Sequence, residues 1–431
     1  MTERRNIEQA TYIVETLIEH EYEAYWVGGF VRDTLLGRPT QDIDIATSAE
    51  PEQVMALFDR CKPTGLQHGT VLVIVEGIPF EVTTFRQESS YENYRRPAEV
   101  TFIQDIQGDL GRRDFTMNAM AIDRSGTIID PYGGQEDLRG GILRCVGDPF
   151  KRFGEDALRM MRCIRFAAEY RLTIDEVTWD ALLKQASLLS HIAMERVRAE
   201  LERIVMGNDA GRGLHLFVES GLFRHFKSNI SLNFELLTKV EQEQLTNWLS
   251  GIEEPDVRWA LLLLLLGTSS DEASNYLRTL TFPNQSFTKI SQILSFHEWY
   301  LGEMANPANS SNPALTLKLA AVKYGIIVTR QWLEIITWVN ELMIRRYPYP
   351  VDWQELATQG EQWLLELPVV HLHDLKVTGS DLIKAGCKPG PRIGQVLHSL
   401  LEEAALGVIE NDKKLLMQRA SELIAEKSDS Q

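Results

Sequence analysis

The stretch that most constrains this chain is Gly28-Gly29-Phe30-Val31-Arg32-Asp33, followed nine residues later by Asp42-Ile43-Asp44. Two glycines entering a helix let backbone approach a phosphate closely, and an arginine in the first turn of that helix can neutralise it. Asp42 to Ala46 reads as a strand, in which residues two apart share a face. Asp42 and Asp44 would then present hard oxygen ligands to one or two Mg²⁺ ions. A metal pair of that kind clamps the attacking and leaving oxygens of a displacement at phosphorus. Either half alone is weak, because Asp-x-Asp also caps helices and ends turns. The combination at this spacing points to nucleotidyl transfer.

The rest of the chain must house that head. At 431 residues it is too long for one ordinary domain. Its 44% hydrophobic and 24% charged content is that of a globular protein. Cys61, Cys145, Cys163 and Cys387 include no Cys-x-x-Cys, so neither a zinc site nor a disulfide framework is expected, as befits a reducing cytoplasm. The N-terminus leads into charged helical sequence, and the longest apolar run, Trp259 to Leu266, is too short for a bilayer and reads as a buried helix, so no membrane partner is expected. A net charge of −17 argues against indiscriminate nucleic-acid binding. A local basic surface remains, since Lys151 to Arg171 carries six basic residues against three acidic ones.

A helical period covers residues 6 to 24, and Tyr25 to Val27 reads as a strand before the glycine turn. A helix follows to Leu36, then the Asp42–Ala46 strand and a helix from Pro51 to Phe58 with proline in its first turn. Val71 to Val75 and Phe80 to Phe85 look like two strands joined at Gly77-Ile78-Pro79. Glu81 in the second would be either a third carboxylate or an ordinary solvent-facing strand residue. From Gln87 to Gly108 the pattern gives way to a long polar segment with Tyr91, Tyr94, Arg95, Arg96 and Pro97, of the kind that forms a lid. After Pro149 the pattern is helical, with no convincing strand, and Asn306 to Pro313 is a turn-rich linker.

Two further segments identify a resemblance: Arg112-Arg113-Asp114-Phe115-Thr116-Met117-Asn118-Ala119-Met120, and Glu155-Asp156-x-x-Arg159-x-x-Arg162-x-x-Arg165-Phe166. With the opening motif, and with Glu195 to Leu201, the chain resembles the class II tRNA nucleotidyltransferases, the CCA-adding enzymes and their poly(A) polymerase relatives, in the bacterial form without a metal-phosphohydrolase domain. His371 and His373-Asp374 lack the further ligands such a domain needs. The resemblance implies an α+β fold: a polymerase-β-like nucleotidyltransferase head over 1–142, then an all-α remainder with a neck over 143–205, a body over 206–305 and a tail over 306–431. It implies Asp42, Asp44 and Glu81 as catalytic carboxylates, with Asp42 and Asp44 on Mg²⁺. Gly28, Gly29 and Arg32 fall at the triphosphate, Arg113 and Asp114 in the motif associated with ribose recognition, and Asn118 just beyond it as a further nucleotide-binding residue. Asp156 and Arg159 match the pair that reads the incoming base, with Arg162 and Arg165 as further nucleotide contacts. The partners implied are tRNA, CTP and ATP.

Base reading also follows from chemistry. Cytosine and adenine share an amino donor beside a ring-nitrogen acceptor, whereas uracil and guanine present the inverse order. One carboxylate and one guanidinium side by side fit the first pair and reject the second. Asp156 and Arg159, three apart, are expected to be neighbours on one helix face. The ordinary alternative is an intrahelical ion pair. Arg345, Arg346, Tyr347 and Tyr349 could touch RNA or simply end a helix. The expected activity is stepwise addition of C, C and A to tRNA 3′ ends. A-only addition and poly(A) synthesis are the alternatives within the enzyme class, and a catalytically dead RNA-binding module is the alternative outside it. The long 87–108 segment matches a flexible loop that CC-only relatives look to lack.

Overall fold

A computed structural model describes residues 2–40, 42–88, 91–92, 96–97, 100–228, 230, 232–306, 312–347 and 351–426. The chain divides into two compact units, 1–231 and 232–431.

The first unit opens with helix α1 (Thr2–Glu19), whose apolar residues Ala10, Ile13, Val14 and Leu17 are fully buried. Strand β1 (Ala24–Val27), helix α2 (Gly29–Leu35), β2 (Asp44–Thr47), α3 (Pro51–Leu57), β3 (Cys61–Gly65), β4 (Thr70–Val75) and β5 (Ile78–Thr84) follow. Next come β6 (Arg86–Glu88), β7 (Tyr91–Glu92), β8 (Arg96–Pro97), β9 (Val100–Phe102), α4 (Ile106–Gly111), β10 (Ala121–Ile122) and β11 (Ile128–Ile129). The main sheet has seven strands in the order β11-β10-β1-β2-β5-β4-β3. It is mixed: β1 runs antiparallel to β2, β2 parallel to β5, and β5 antiparallel to β4.

The β4–β5 hairpin turns on Glu76-Gly77 rather than on Gly77-Ile78-Pro79. Both turn residues have positive φ, 49° and 84°, the two-residue geometry whose twist matches paired strands. In the 87–108 segment the expected open loop is partly ribbon, because β6 pairs with β9 and β7 with β8. These strands are two or three residues long, too short to show an alternating pattern. Tyr94 and Arg95 lie outside the described residues.

The head closes with α5 (Gly134–Gly140) and β12 (Ile142–Leu143), and helices α6 (Pro149–Glu155) and α7 (Leu158–Glu169) follow. One short strand, β13 (Thr173–Ile174), interrupts the helical stretch and pairs parallel with β12. Helices α8 (Glu176–Gln185), α9 (Met194–Met206) and α10 (Ala210–Ser220) complete the unit, with α7 packed on α9 and α10.

The second unit is helical throughout its described residues. Trp259 to Leu266 is buried, most of it in the helix Pro255–Leu265, as its uniform apolarity requires. An aromatic core of Phe296, Tyr300, Trp332 and Trp353 lies between the helices Asn284–Met304, Ile326–Arg346 and Trp353–Leu365. Arg346 donates to the carbonyl of Leu265 at 2.6 Å and the Tyr347 ring packs on Trp353, so both are turned inward. Tyr349 and most of the Asn306–Pro313 linker lie outside the described residues. No described helix is long and apolar enough to cross a membrane.

Candidate active site

The glycine turn is built for close approach. Gly28 has φ of +68°, and a Cβ there would stand 2.7 Å from Arg113 Nη1 and 3.8 Å from Asp44 Oδ2. A Cβ on Gly29 would stand 3.4 Å from Arg32 Nη2. The Gly28 amide donates to the Met120 carbonyl, which ties the turn to the Arg112–Met120 segment.

One cavity of about 730 Å³ brings together Gly28, Gly29, Arg32, Asp42, Asp44, Arg113, Asp114, Asn118, Asp156, Arg159, Arg162 and Arg165. Of the thirteen residues singled out from sequence, only Glu81 is not among those lining it. Strand β2 begins at Asp44, so Asp42 precedes it, although the exposed–buried–half-buried sequence Asp42, Ile43, Asp44 keeps both carboxylates on one side. Pairing of Ile45 with Val82 sets Asp44 alongside the end of β5 that carries Glu81. Burial raises the Asp44 carboxyl above the ordinary range; Arg113 opposes this, while Glu81 and Asp42 add to it. That crowding of carboxylates fits a divalent cation. Among the described residues no group of three or more potential ligands stands in metal-holding geometry.

The arginines are held in place. Arg32 donates to Asn118 at 2.6 Å and, through two nitrogens, to Asp33 at 2.9 and 2.8 Å. Arg162 grips Asp114 Oδ2 at 2.6 and 2.8 Å. Burial pushes the Asp114 carboxyl up, but Arg162, the Asn118 amide and Arg159 outweigh it and hold the group well below the carboxylate range. Arg165 bonds Glu200 at 2.7 Å and Glu169 at 3.0 Å and lies over the Phe166 ring. Burial lowers the Arg113 guanidinium, which is countered by Asp109 and still carries an unpartnered Nε.

Asp156 and Arg159 do not share one helix. Asp156 has extended backbone (φ −137°, ψ 103°) between α6 and α7, and its Oδ1 accepts the Leu158 amide at 3.1 Å. The chain breaks there because an aspartate at a helix start satisfies an otherwise orphaned donor. Gly154 just before it weakens the end of α6. Arg196 on α9 meets both Asp156 oxygens, at 3.3 and 2.9 Å. Arg159 pairs with Glu155 at 2.7 Å and donates to the carbonyls of Arg152 and Arg112 at 2.9 and 3.0 Å. The ion-pair alternative is thus realised by Glu155 and Arg159, not within one helix but across the break between α6 and α7.

Sequence reasoning assigned no role to Arg196, Arg112 or Tyr170, all of which line the cavity. Arg196 sits in the Glu195–Leu201 segment, and that was the available signal; nothing in the sequence pairs it with Asp156. Arg112 connects the site to the base of the β6–β9 ribbon, bonding Asp109 at 2.9 Å and Glu88 on β6 at 3.3 Å.

Residues 24–144 match the Poly A polymerase head domain, 171–232 an RNA- and SrmB-binding site of polymerase A, and 251–420 tRNA nucleotidyltransferase domain 2. The CCA-adding enzyme of Geobacillus sp. strain WCH70 is 39% identical over 94% of this chain and 95% of its own length. The chain belongs to the family of CCA-adding enzymes. A second family member, from Geobacillus stearothermophilus, is 38% identical over 94% of this chain and 95% of its own. Among solved structures, the CCA-adding enzyme of Bacillus stearothermophilus in complex with CTP matches with a TM-score of 0.78 at 33% identity, over 98% of this chain and 99% of that one. An α+β head followed by a helical remainder is therefore the architecture of this family of tRNA nucleotidyltransferases.

Proposed function

We propose that this protein completes tRNA 3′ ends by adding C, C and A from CTP and ATP without a nucleic-acid template. The observation that carries the reading is the single cavity in which Asp42 and Asp44 face the glycine turn while Asp156 and Arg159 occupy the same space. The relatives' shared name, and the CTP complex of the Bacillus stearothermophilus enzyme, support it.

Asp42 and Asp44 would hold Mg²⁺, two ions in the fullest form, which when bound lowers the pKa of the attacking hydroxyl and offsets charge at phosphorus. Gly28 and Gly29 admit the triphosphate to the backbone, and Arg32 draws it in through the two N–H groups that its bonds to Asp33 and Asn118 leave over. Arg113, Asp114 and Asn118 lie where a ribose would meet them, and Arg162 and Arg165 complete the positive wall. The tRNA 3′-hydroxyl attacks the α-phosphate and pyrophosphate leaves.

Asp156 reads the amino group. Its Oδ1 already accepts from Leu158 and Arg196, whereas Oδ2, which among the described residues accepts from Arg196, has a further lone pair for the base. A uracil or guanine carbonyl would there meet another acceptor, which repels it. Arg159, braced by Glu155 and two carbonyls, turns its guanidinium to the ring nitrogen. The helical segments 143–205, 206–305 and 306–431 serve base recognition and tRNA binding in this scheme. The test is nucleotide addition by purified protein to tRNA ending at the discriminator base, at −C and at −CC. CTP alone should extend the first two and ATP alone only the third.

A further inference from the structure

We infer that Tyr170 is a positioning residue that seats the Arg32 guanidinium for the triphosphate shared by CTP and ATP, an inference that rests on the role proposed above for Arg32. Tyr170 ends α7, half-buried, with its side chain on the wall of the cavity. Asp33 and Asn118 fix Arg32 from within the guanidinium plane. In-plane bonds to a sequence neighbour do not stop the group swinging together with that neighbour. The face of the guanidinium is covered instead by the Tyr170 ring, whose centroid lies 4.3 Å from Arg32 Cζ, with Phe166 behind at 5.6 Å.

Burial raises the Tyr170 hydroxyl and keeps it protonated, and the nearby Asp33 carboxylate adds to that rise while Arg32 opposes it. Arg38 stacks on the same ring at 4.5 Å while donating to the Glu169 carbonyl, which pins the ring from the α2 side. A tyrosine serving only as packing at a helix end would not carry two guanidinium groups on its ring. The contact acts on Arg32, far in role from Asp156 and Arg159, so it should affect both nucleotides alike and leave base choice alone.

The experiment uses the full chain with Tyr170→Ala, Tyr170→Leu and Tyr170→Phe. Kinetics are measured with CTP on −C tRNA and ATP on −CC tRNA, and calorimetry follows binding of CTP and inorganic tripolyphosphate. Leu keeps apolar bulk should Ala fail to fold, which a Tm measurement reveals. The Ala and Leu variants should raise KM for CTP and ATP by the same factor, about tenfold for a desolvated cation–π contact, and weaken tripolyphosphate in parallel. Turnover and KM for tRNA should stay within about twofold, and Phe should restore nucleotide KM to within about threefold. Unchanged nucleotide KM, a split between CTP and ATP, a change confined to tRNA, or a Phe variant as impaired as Ala would each overturn the inference. The binding arm needs no turnover, so it decides the role of Tyr170 even if wild-type protein fails to extend tRNA and the functional reading falls.

Discussion

At the scale of single residues, Asp44 sets function against stability. Its carboxyl is raised in the folded state, chiefly by burial, so ionising it costs folding free energy once pH exceeds its unfolded value. Stability associated with this group is full below the unfolded pKa and is lost as pH rises through the folded one. Asp44→Asn should therefore raise Tm at neutral pH in the presence of chelator, while abolishing nucleotide addition. The gain should vanish at acid pH, and scanning calorimetry at two pH values checks both signs. Asp42→Ala and Asp44→Ala should likewise lose turnover with tRNA binding retained, and near-normal turnover with Mg²⁺ in either would refute the metal assignment. Gly28→Ala is a different failure. A Cβ at a positive φ, 2.7 Å from Arg113, should cost about 1 kcal/mol or more of stability and most of the activity, read by Tm and by initial rate.

Residue identities were more legible in sequence than their partners. The Gly-Gly turn, Asp42 and Asp44 stand out because their chemistry needs those side chains at that spacing, and Asp156 and Arg159 because of the base edge they would match, whereas Arg113 and Asp114 were marked by the family resemblance. Arg196 escaped because its bond to Asp156 spans forty positions, and no local period encodes such a contact. Tyr170 escaped because an aromatic at a helix end is ordinary until two guanidinium groups are seen upon its ring.

At the scale of elements, the break between α6 and α7 is what turns Asp156 into the cavity. A continuous helix was the natural reading of Arg159, Arg162 and Arg165 at three-residue spacing. What competed was the capping preference of aspartate, together with Gly154. Strands β1, β2, β4 and β5 were read in order; the two-residue strands carry no periodicity, and the edge strand β3 was missed because Cys61-Lys62-Pro63-Thr64-Gly65 has a central proline and no apolar alternation.

The ribbon at 86–102 is the lid candidate, and its base is wired to the site: Glu88 bonds Arg86 and Arg112, and the Arg112 carbonyl accepts from Arg159. Deleting about ten residues around Tyr91 to Pro97 should spare the two cytidine additions and impair the adenosine, because a closing lid is needed to re-shape the base pocket. Equal loss of C and A addition would count against a lid acting on base choice. Single-nucleotide extension of −C and −CC tRNA separates the two.

At the scale of the whole molecule, a chain with a net charge of −17 must bind a polyanion locally rather than globally. Affinity for tRNA should fall steeply between about 50 and 200 mM salt, while KM for CTP changes much less, since the nucleotide site is walled by partly buried, internally braced arginines. Filter binding and steady-state kinetics over that range measure the two slopes.

The central claim is that protein side chains, not a nucleic acid, choose the base. The most direct measurement is kcat/KM for all four nucleoside triphosphates on tRNA ending in −CC, with wild type and Asp156→Ala. Wild type should strongly prefer ATP. The variant should lose on the order of 1–3 kcal/mol of discrimination against UTP and GTP, the scale of one good polar base contact. Unchanged rejection of UTP and GTP by Asp156→Ala would contradict the account and leave the Asp156–Arg159 region a phosphate clamp.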